Sequence, residues 1–131
     1  MPLHGLSQNH YYSFNLGPAH FIFLNVDLFY EQILINRQPF IDWLKADLAI
    51  ADSEEARKER PWIIVQGSDP VYCGDKSNWR CKGEHYKDVK EIFHEHNVDL
   101  FISGHTNIYE RLPLPSLRCL LMLIRMLPIF N

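Results

Sequence analysis

Two short apolar runs, each followed by a glycine-containing loop, constrain the fold of this chain more than any other feature. Residues 62–65 read Trp-Ile-Ile-Val and lead to Gly67, and residues 98–102 read Val-Asp-Leu-Phe-Ile and lead to Gly104. Such runs are typical of strands buried on both faces of a sheet. Because parallel strands end at one edge, functional groups are expected on the loops that begin at these glycines.

Segments with helical periodicity separate these runs. Residues 11–16 and 19–26 flank Gly17-Pro18 and predict two strands joined by a tight turn. Apolar residues recur at helical spacing over residues 38–56 and again over residues 86–96, which predicts two amphipathic helices. The order strand, strand, helix, strand, helix, strand predicts an α/β layered fold.

The charge balance argues against a nucleic-acid-binding protein. Lys plus Arg number 13 and Asp plus Glu number 16, so the formal net charge is −3 and no broad basic surface exists for a phosphate backbone. The densest charge run, residues 53–60, is interpreted as a solvated helix end or loop.

No segment is predicted to span a membrane. Residues 1–5 carry no basic region and precede no apolar core, so they do not resemble a secretory signal. The apolar stretch at residues 117–130 is shorter than the roughly 18 residues that a membrane span requires. It is also interrupted by Arg118, Arg125 and Pro128.

The histidine that follows Gly104 is the sharpest candidate for chemistry. Glycine permits a tight turn after the strand, which leaves the His105 imidazole at the sheet edge, where an ion has access. Residues 98–111 contain GHTN followed by IYER. This segment resembles the GHxH block of the metallophosphoesterases, and its final YER resembles the purple acid phosphatase branch.

Three further blocks resemble the same branch, in the same order along the chain. They are YYSF with GPAHFI in residues 11–22, QPFIDWL with DL in residues 38–48, and RPWIIV with PVYC in residues 60–73. The resemblance covers about residues 11–113. It assigns His20 a structural place in its strand.

The resemblance implies part of a four-layer αββα sandwich with a mixed sheet and a dinuclear metal centre at the strand ends. In the family, Fe(III) is paired with Zn, Fe or Mn. The two ions bind a phosphomonoester and supply the hydroxide that attacks phosphorus, because two cations lower the pKa of a bound water. The family is mostly secreted, lysosomal or vacuolar, and the sequence assigns this chain no compartment.

The ligand positions depart from the family pattern. His105 matches the first histidine of GHxH, but Asn107 stands at the second, and Ser68 stands where the family has a histidine after the preceding strand. A hydroxyl or amide oxygen is a poor ligand for Zn or Fe(III), so Asn107 is a weak metal candidate and Ser68 is not expected to be a ligand. The family's other three ligand blocks belong upstream of Tyr11, and Asn9-His10 lacks the glycine and the acid of one of them.

We therefore expect a partial, ligand-depleted relative of the acid phosphatases that is inactive alone. The alternative is a non-catalytic binding or regulatory half-domain, whose uncovered apolar surface binds a second copy or a full-length relative. A third hypothesis is a mononuclear metal site on His105 and Asn107. Residues 1–113 are the expected partial catalytic domain, and residues 114–131 are a divergent apolar tail.

Cys73 and Cys81 are a candidate disulfide. The resemblance implies a paired cysteine at the position of Cys73, and so short a loop would add roughly 2–3 kcal/mol in an oxidising compartment. The alternative is two reduced thiols, and zinc binding is disfavoured because few further ligands lie nearby.

Overall fold

The structure, a computed structural model, describes residues 10–25, 37–72, 74, 86–105, 109–113 and 120–123. In chain order the elements are β1 (Tyr11–Leu16), β2 (Ala19–Leu24), α1 (Gln38–Ala51), α2 (Glu54–Glu59), β3 (Trp62–Gly67), α3 (Lys87–Glu95), β4 (Leu100–Ser103), β5 (Glu110–Pro113) and β6 (Leu120–Leu123). The predicted strand and helix order is confirmed through β4, with one difference. The chain turns after α1, and Ser53 caps a separate helix α2 by accepting a hydrogen bond from the Ala56 N–H.

All the described strands belong to one mixed sheet with the order β1-β2-β3-β4-β6-β5. The four strands β2, β3, β4 and β6 are parallel, and β1 and β5 pair antiparallel at the two edges. The sequence pattern does not predict β5 or β6. Because β6 pairs with β4, the sheet includes residues on both sides of residue 113. The division of the chain into a partial catalytic domain (residues 1–113) and an apolar tail (residues 114–131) stays a prediction.

One face of the sheet packs against helices α1 and α3. The periodic apolar residues of both helices are buried there, as their spacing predicts. The core contributions are Phe40, Ile41, Leu44, Leu48 and Ala51 from α1, Val89, Ile92 and Phe93 from α3, and Ile22, Leu24, Ile63, Val65 and Phe101 from the strands. No described helix is long and apolar enough to cross a membrane.

From β1 to β4 the opposite face of the sheet is apolar except for Gln66, and the described residues leave it uncovered. The expectation that residues 62–65 form a strand buried on both faces is wrong, because Ile63 and Val65 are buried while Trp62 is 55% exposed. The reason is that the described helices pack on one side only. We call this uncovered surface the aromatic face and define it by Tyr12, Phe14, Leu16, Phe21, Phe23, Trp62 and Ile64, which the strand register places on one side.

Arg57 of α2 joins three separate parts of the chain. Its guanidinium donates to Asp52 Oδ1 at 2.8 Å, to Asp99 Oδ2 at 2.6 Å and to the carbonyl of Asn97 at 2.6 Å. Asp99 is 7% exposed and also accepts a hydrogen bond from the Ile63 N–H at 2.8 Å. The interpretation of residues 53–60 as a solvated segment is therefore wrong for Arg57, because its donors meet acceptors far along the chain.

Replacing Arg57 is expected to destabilise the fold. Arg57→Ala leaves the buried Asp99 carboxylate without its cation, and we expect the free energy of unfolding to fall by about 2–4 kcal/mol in urea denaturation. Lys58→Ala is the matched control, because Lys58 is exposed and pairs only with Glu54 on the helix surface among the described contacts. It should change stability by less than about 0.5 kcal/mol. Equal effects of the two variants would contradict this role for Arg57.

Lys90 of α3 lies at the boundary of the core. Its Nζ is 5.3 Å from the centroid of the Tyr72 ring, and Tyr72 in turn packs edge-on against Phe101. Partial burial lowers the pKa of Lys90 from its ordinary value of 10.5, because it removes water from the charged amine. The protonated amine is therefore less favourable in the folded chain than in the unfolded chain.

This lowered pKa predicts a pH dependence of stability. Between the folded-state pKa and 10.5, the unfolded chain holds the Lys90 proton more strongly, so the unfolding free energy rises with pH in that window. We expect the stability of the wild-type chain relative to Lys90→Met to rise toward pH 10.5 in thermal melts. Lys45→Met, at an exposed position of α1, is the control. A wild-type advantage that falls with pH would contradict the prediction.

Candidate functional site

The loops that follow β3 and β4 begin side by side at the carboxyl edge of the sheet. The parallel register aligns Gly67 with Ser103, so Ser68 and Gly104 open two neighbouring loops. This is the edge at which parallel strands commonly gather functional groups. His105, the sharpest candidate from the sequence, lies there, and so does Ser68, which stands at the family's histidine position and is not expected to be a ligand.

Close packing requires glycine at the end of β3. A Cβ on Gly67 would lie 2.8 Å from Cζ of Phe101 and 3.3 Å from the carbonyl oxygen of Asp69. Phe101 is fully buried in the core and has little room to move. Gly67 therefore determines where Ser68 and Asp69 leave the sheet.

His105 lies beside a buried carboxylate that the sequence pattern does not single out. Its Nδ1 is 3.5 Å from Oδ1 of Asp69, whose side chain is 1% exposed, while the His105 side chain is 50% exposed. His105 has a φ of 75°, a left-handed conformation that is uncommon for a residue with a side chain. Only the position of Asp69 just after a strand and a glycine could have indicated it in the sequence.

The arrangement at His105 is suited to orienting an imidazole. A carboxylate beside one ring nitrogen holds the ring and leaves the other nitrogen available for a ligand. Asp69 occupies the Nδ1 side, so His105 can offer Nε2 outward. This pair therefore supplies one oriented imidazole donor and not a cluster of ligands.

Ser68 borders a cavity at this edge of the sheet. It lines a cavity of about 430 Å³ together with His10, Asn25 and Gln66, and neither Asp69 nor His105 contributes to that lining. His10 Nδ1 is buried and has no hydrogen-bond partner among the residues that the structure describes. The backbone N–H of Ser68 donates to the carbonyl of Leu24 at 3.3 Å, which ties the loop to the end of β2.

The described residues do not fit a dinuclear metal centre. Across the described parts of the chain, no three His, Cys, Asp or Glu side chains come together in an arrangement that could hold a metal ion. At the two strand ends, Ser68 offers a neutral hydroxyl and His105 lies beside Asp69. Asn107, Cys73 and Cys81 lie outside the described residues, so the disulfide and the second GHxH position stay predictions.

His20 belongs to a hydrogen-bonded cluster at the other end of the sheet. Its Nε2 is 2.9 Å from Asp47 Oδ2 and its Nδ1 is 2.7 Å from Asn15 Oδ1, while the Ser13 hydroxyl donates to Asp47 Oδ1 at 2.7 Å. These contacts join the β1–β2 hairpin to α1. His20 lies near the start of β2, away from the loops that carry Ser68 and His105, in keeping with the expected structural role.

Comparison with known proteins places these features in a family. The calcineurin-like phosphoesterase profile matches residues 1–109. Acid phosphatase type 7 from Danio rerio is 33% identical over an alignment of 128 residues, and the match covers 82% of this chain and 28% of that protein. Purple acid phosphatase 15 from Arabidopsis thaliana is 32% identical over 108 residues, which cover 82% of this chain and 19% of that protein. The chain thus spans less than a third of the length of these relatives.

Solved structures share the fold. Purple acid phosphatase PPD1 from Lupinus luteus seeds superposes with a TM-score of 0.66 at 17% identity, over 92% of this chain and 25% of that chain. GAP50, the anchor in the inner membrane complex of Plasmodium, gives a TM-score of 0.63 at 21% identity, over 87% of this chain and 35% of that chain. The expected class, α/β with a mixed sheet as part of a metallophosphoesterase sandwich, is confirmed. The chain belongs to the calcineurin-like phosphoesterase family, and its relatives there are acid phosphatases that include the purple acid phosphatases.

Proposed function

We propose that the strand-end site of this chain does not by itself hydrolyse phosphomonoesters, although its relatives are acid phosphatases. The observation that carries the proposal is the donor set at the two strand ends. Ser68 offers a neutral hydroxyl after β3, and His105 has only Asp69 beside it among the described ligand-type side chains. The chain therefore acts in a role other than independent phosphate hydrolysis.

The chemistry of a dinuclear site explains why these donors are insufficient. Two cations activate a water and neutralise charge on the phosphoryl oxygens only when several ligands and their outer partners hold both ions. Fe(III) with Zn or Mn would be the family pair, and such ions favour imidazole and carboxylate ligands over a neutral hydroxyl. Because Asp69 lies at Nδ1, His105 has Nε2 left to offer as its own ligand atom.

Phosphatase assays test the proposal directly. We expect the purified chain to release no nitrophenol from p-nitrophenyl phosphate at acid pH above a heat-denatured control, with Fe, Zn or Mn added. The variant Ser68→His with Asn107→His should also be inactive, because two added imidazoles do not rebuild a complete two-ion centre. Metal-dependent turnover by the wild-type chain would contradict the proposal.

Metal binding gives a second and independent readout. We expect the wild-type chain to retain fewer than two tightly bound ions after dialysis, measured by elemental analysis. The double variant should bind Zn at least about 10-fold more tightly, because imidazole replaces weaker oxygen donors. His105→Ala in the double variant should reduce this gain. One ion per wild-type chain would instead support the mononuclear hypothesis on His105 and Asn107.

The second candidate function is a non-catalytic binding half-domain. The aromatic face favours it, because Tyr12, Leu16 and Trp62 each expose close to half of their surface or more. Exposed apolar patches of this kind commonly mark interaction surfaces. The occupant would be a second copy of the chain or a full-length relative, and a phosphomonoester would then have no role at this surface.

A further inference from the structure

A second cavity lies at the amino end of the parallel strands, at the opposite end of the sheet from the loops after β3 and β4. It has a volume of about 240 Å³ and is bordered by the β1–β2 hairpin, the end of α1 and helix α2. We call it the hairpin cavity and define it by its polar lining residues Ser13, Asn15, His20, Asp47 and Arg60. It is therefore separate from the candidate site at the carboxyl edge.

The Asp47 carboxylate is fixed in the wall of this cavity. Its Oδ1 accepts a hydrogen bond from the Ser13 hydroxyl at 2.7 Å, and its Oδ2 is 2.9 Å from Nε2 of His20. The other ring nitrogen of His20, Nδ1, is 2.7 Å from Oδ1 of Asn15, which holds the ring in place. Because a carboxylate oxygen accepts more than one hydrogen bond, these contacts orient Asp47 and leave it able to bind a cationic donor.

Arg60 brings the opposite charge to the same cavity. Its Nη2 lies 3.0 Å from Oε2 of Glu59, but Glu59 is 69% exposed, and such a surface ion pair contributes little to stability. A guanidinium carries five N–H donors in a planar fork, which matches both oxygens of a carboxylate. Arg60 can therefore bind a carboxylate from a ligand while it keeps or exchanges its contact with Glu59.

The charges and the size of the cavity limit what it can bind. A simple anion meets the Asp47 carboxylate and a simple cation meets the Arg60 guanidinium, so either one is repelled by a like charge, whereas a zwitterion pairs with both groups. The rest of the lining is apolar and includes Ile50, Ala51 and Ala56. Pockets for drug-sized ligands hold about 300–1,000 Å³, so a cavity of about 240 Å³ suits a smaller molecule with a short apolar part.

We propose that the hairpin cavity binds a small α-amino acid with a short aliphatic side chain. The ammonium group of the ligand donates to Asp47, its carboxylate accepts from Arg60, and its side chain packs against Ile50. The contacts with Ser13 and His20 hold Asp47 in place before the ligand arrives, which lowers the entropic cost of binding. This inference goes beyond the proposed function, because it uses none of the residues at the carboxyl edge.

Calorimetric titration of the full chain with L-valine and L-leucine tests the proposal. We expect saturable binding of both amino acids at neutral pH. Valinamide lacks the carboxylate and N-acetylvaline lacks the ammonium group, so each leaves one charge of the cavity unmatched and should bind at least about 30-fold more weakly than valine. A chain that binds neither amino acid, or that binds the two derivatives as well as valine, would overturn the proposal.

A substitution of Arg60 locates the binding site. Arg60→Gln should weaken valine binding at least about 30-fold, because it removes the partner of the ligand carboxylate. Lys58→Gln is the matched control, because it removes the same charge from the exposed surface of α2. Its affinity for valine should stay within about two-fold of the wild-type value. Equal affinities of the two variants would place the ligand elsewhere and refute the site.

A substitution of Asp47 tests the other end of the ligand. Asp47→Asn should lose valine affinity to a similar extent, while Asp42→Asn, at an exposed position of α1, is the control and should retain it. Because Asp47 also joins α1 to the hairpin, circular dichroism checks that Asp47→Asn folds, and Arg60→Gln decides the test if it does not. A folded Asp47→Asn chain that binds valine as tightly as Asp42→Asn does would contradict the ammonium contact.

A dipeptide separates two sources of the same pair of charges. Valylvaline carries an ammonium group and a carboxylate that lie farther apart than those of valine, so we expect it to bind more weakly. Tighter binding of the dipeptide would overturn a free amino acid as the ligand and assign the cavity to peptide ends. Phosphatase turnover and metal content report only on the carboxyl edge. This proposal and the proposed function therefore fail in distinguishable ways.

Discussion

The pairing of Ile63 with Asp99 is the interaction on which the candidate site depends. The Asp99 N–H donates to the Ile63 carbonyl at 3.0 Å, and the Asp99 carboxylate accepts from the Ile63 N–H at 2.8 Å while Arg57 neutralises it. This pairing sets the register of β3 and β4, which then aligns Gly67 with Ser103. A slip of one residue would turn every side chain of a strand to the other face, so the loops after β3 and β4 meet only because their strands start together.

At that edge the sheet has the fold of its acid phosphatase relatives, while the lack of the family's metal donors stays part of our proposal. The tight packing of Gly67 on Phe101 helps to bring the loops after β3 and β4 together at the carboxyl edge of the sheet. The residues at that place are a neutral serine and one histidine whose Nδ1 lies beside Asp69. The fold and the metal-binding capacity of this edge depend on different residues. The backbone path depends on Gly67 and core packing, whereas metal binding depends on which side chains occupy the loop positions.

The two faces of the sheet differ in burial because the described helices pack on one of them only. Helices α1 and α3 bury Ile63 and Val65, but the alternate residues of the same strand point away from both helices. The apolar side chains on this face are unusual, because a strand that is exposed to solvent on one side normally places polar residues on that side.

Much of the fold was predictable from local pattern. Helical spacing located α1 and α3, alternation around Gly17 located the hairpin, and Ser68 and Asn107 could be compared with a ligand pattern directly. These features depend on the chain's own spacing and residue identity, and the sequence by itself determined them. Only the tertiary structure decided that Asp69 lies beside His105, that Arg57 reaches Asp99 and that β6 enters the sheet beside β4. It also decided that the described helices cover only one side of β3. The physical reason is that these contacts join segments that are distant in the sequence. The residue pattern of an apolar strand is also the same whether one face or both faces of the strand are covered.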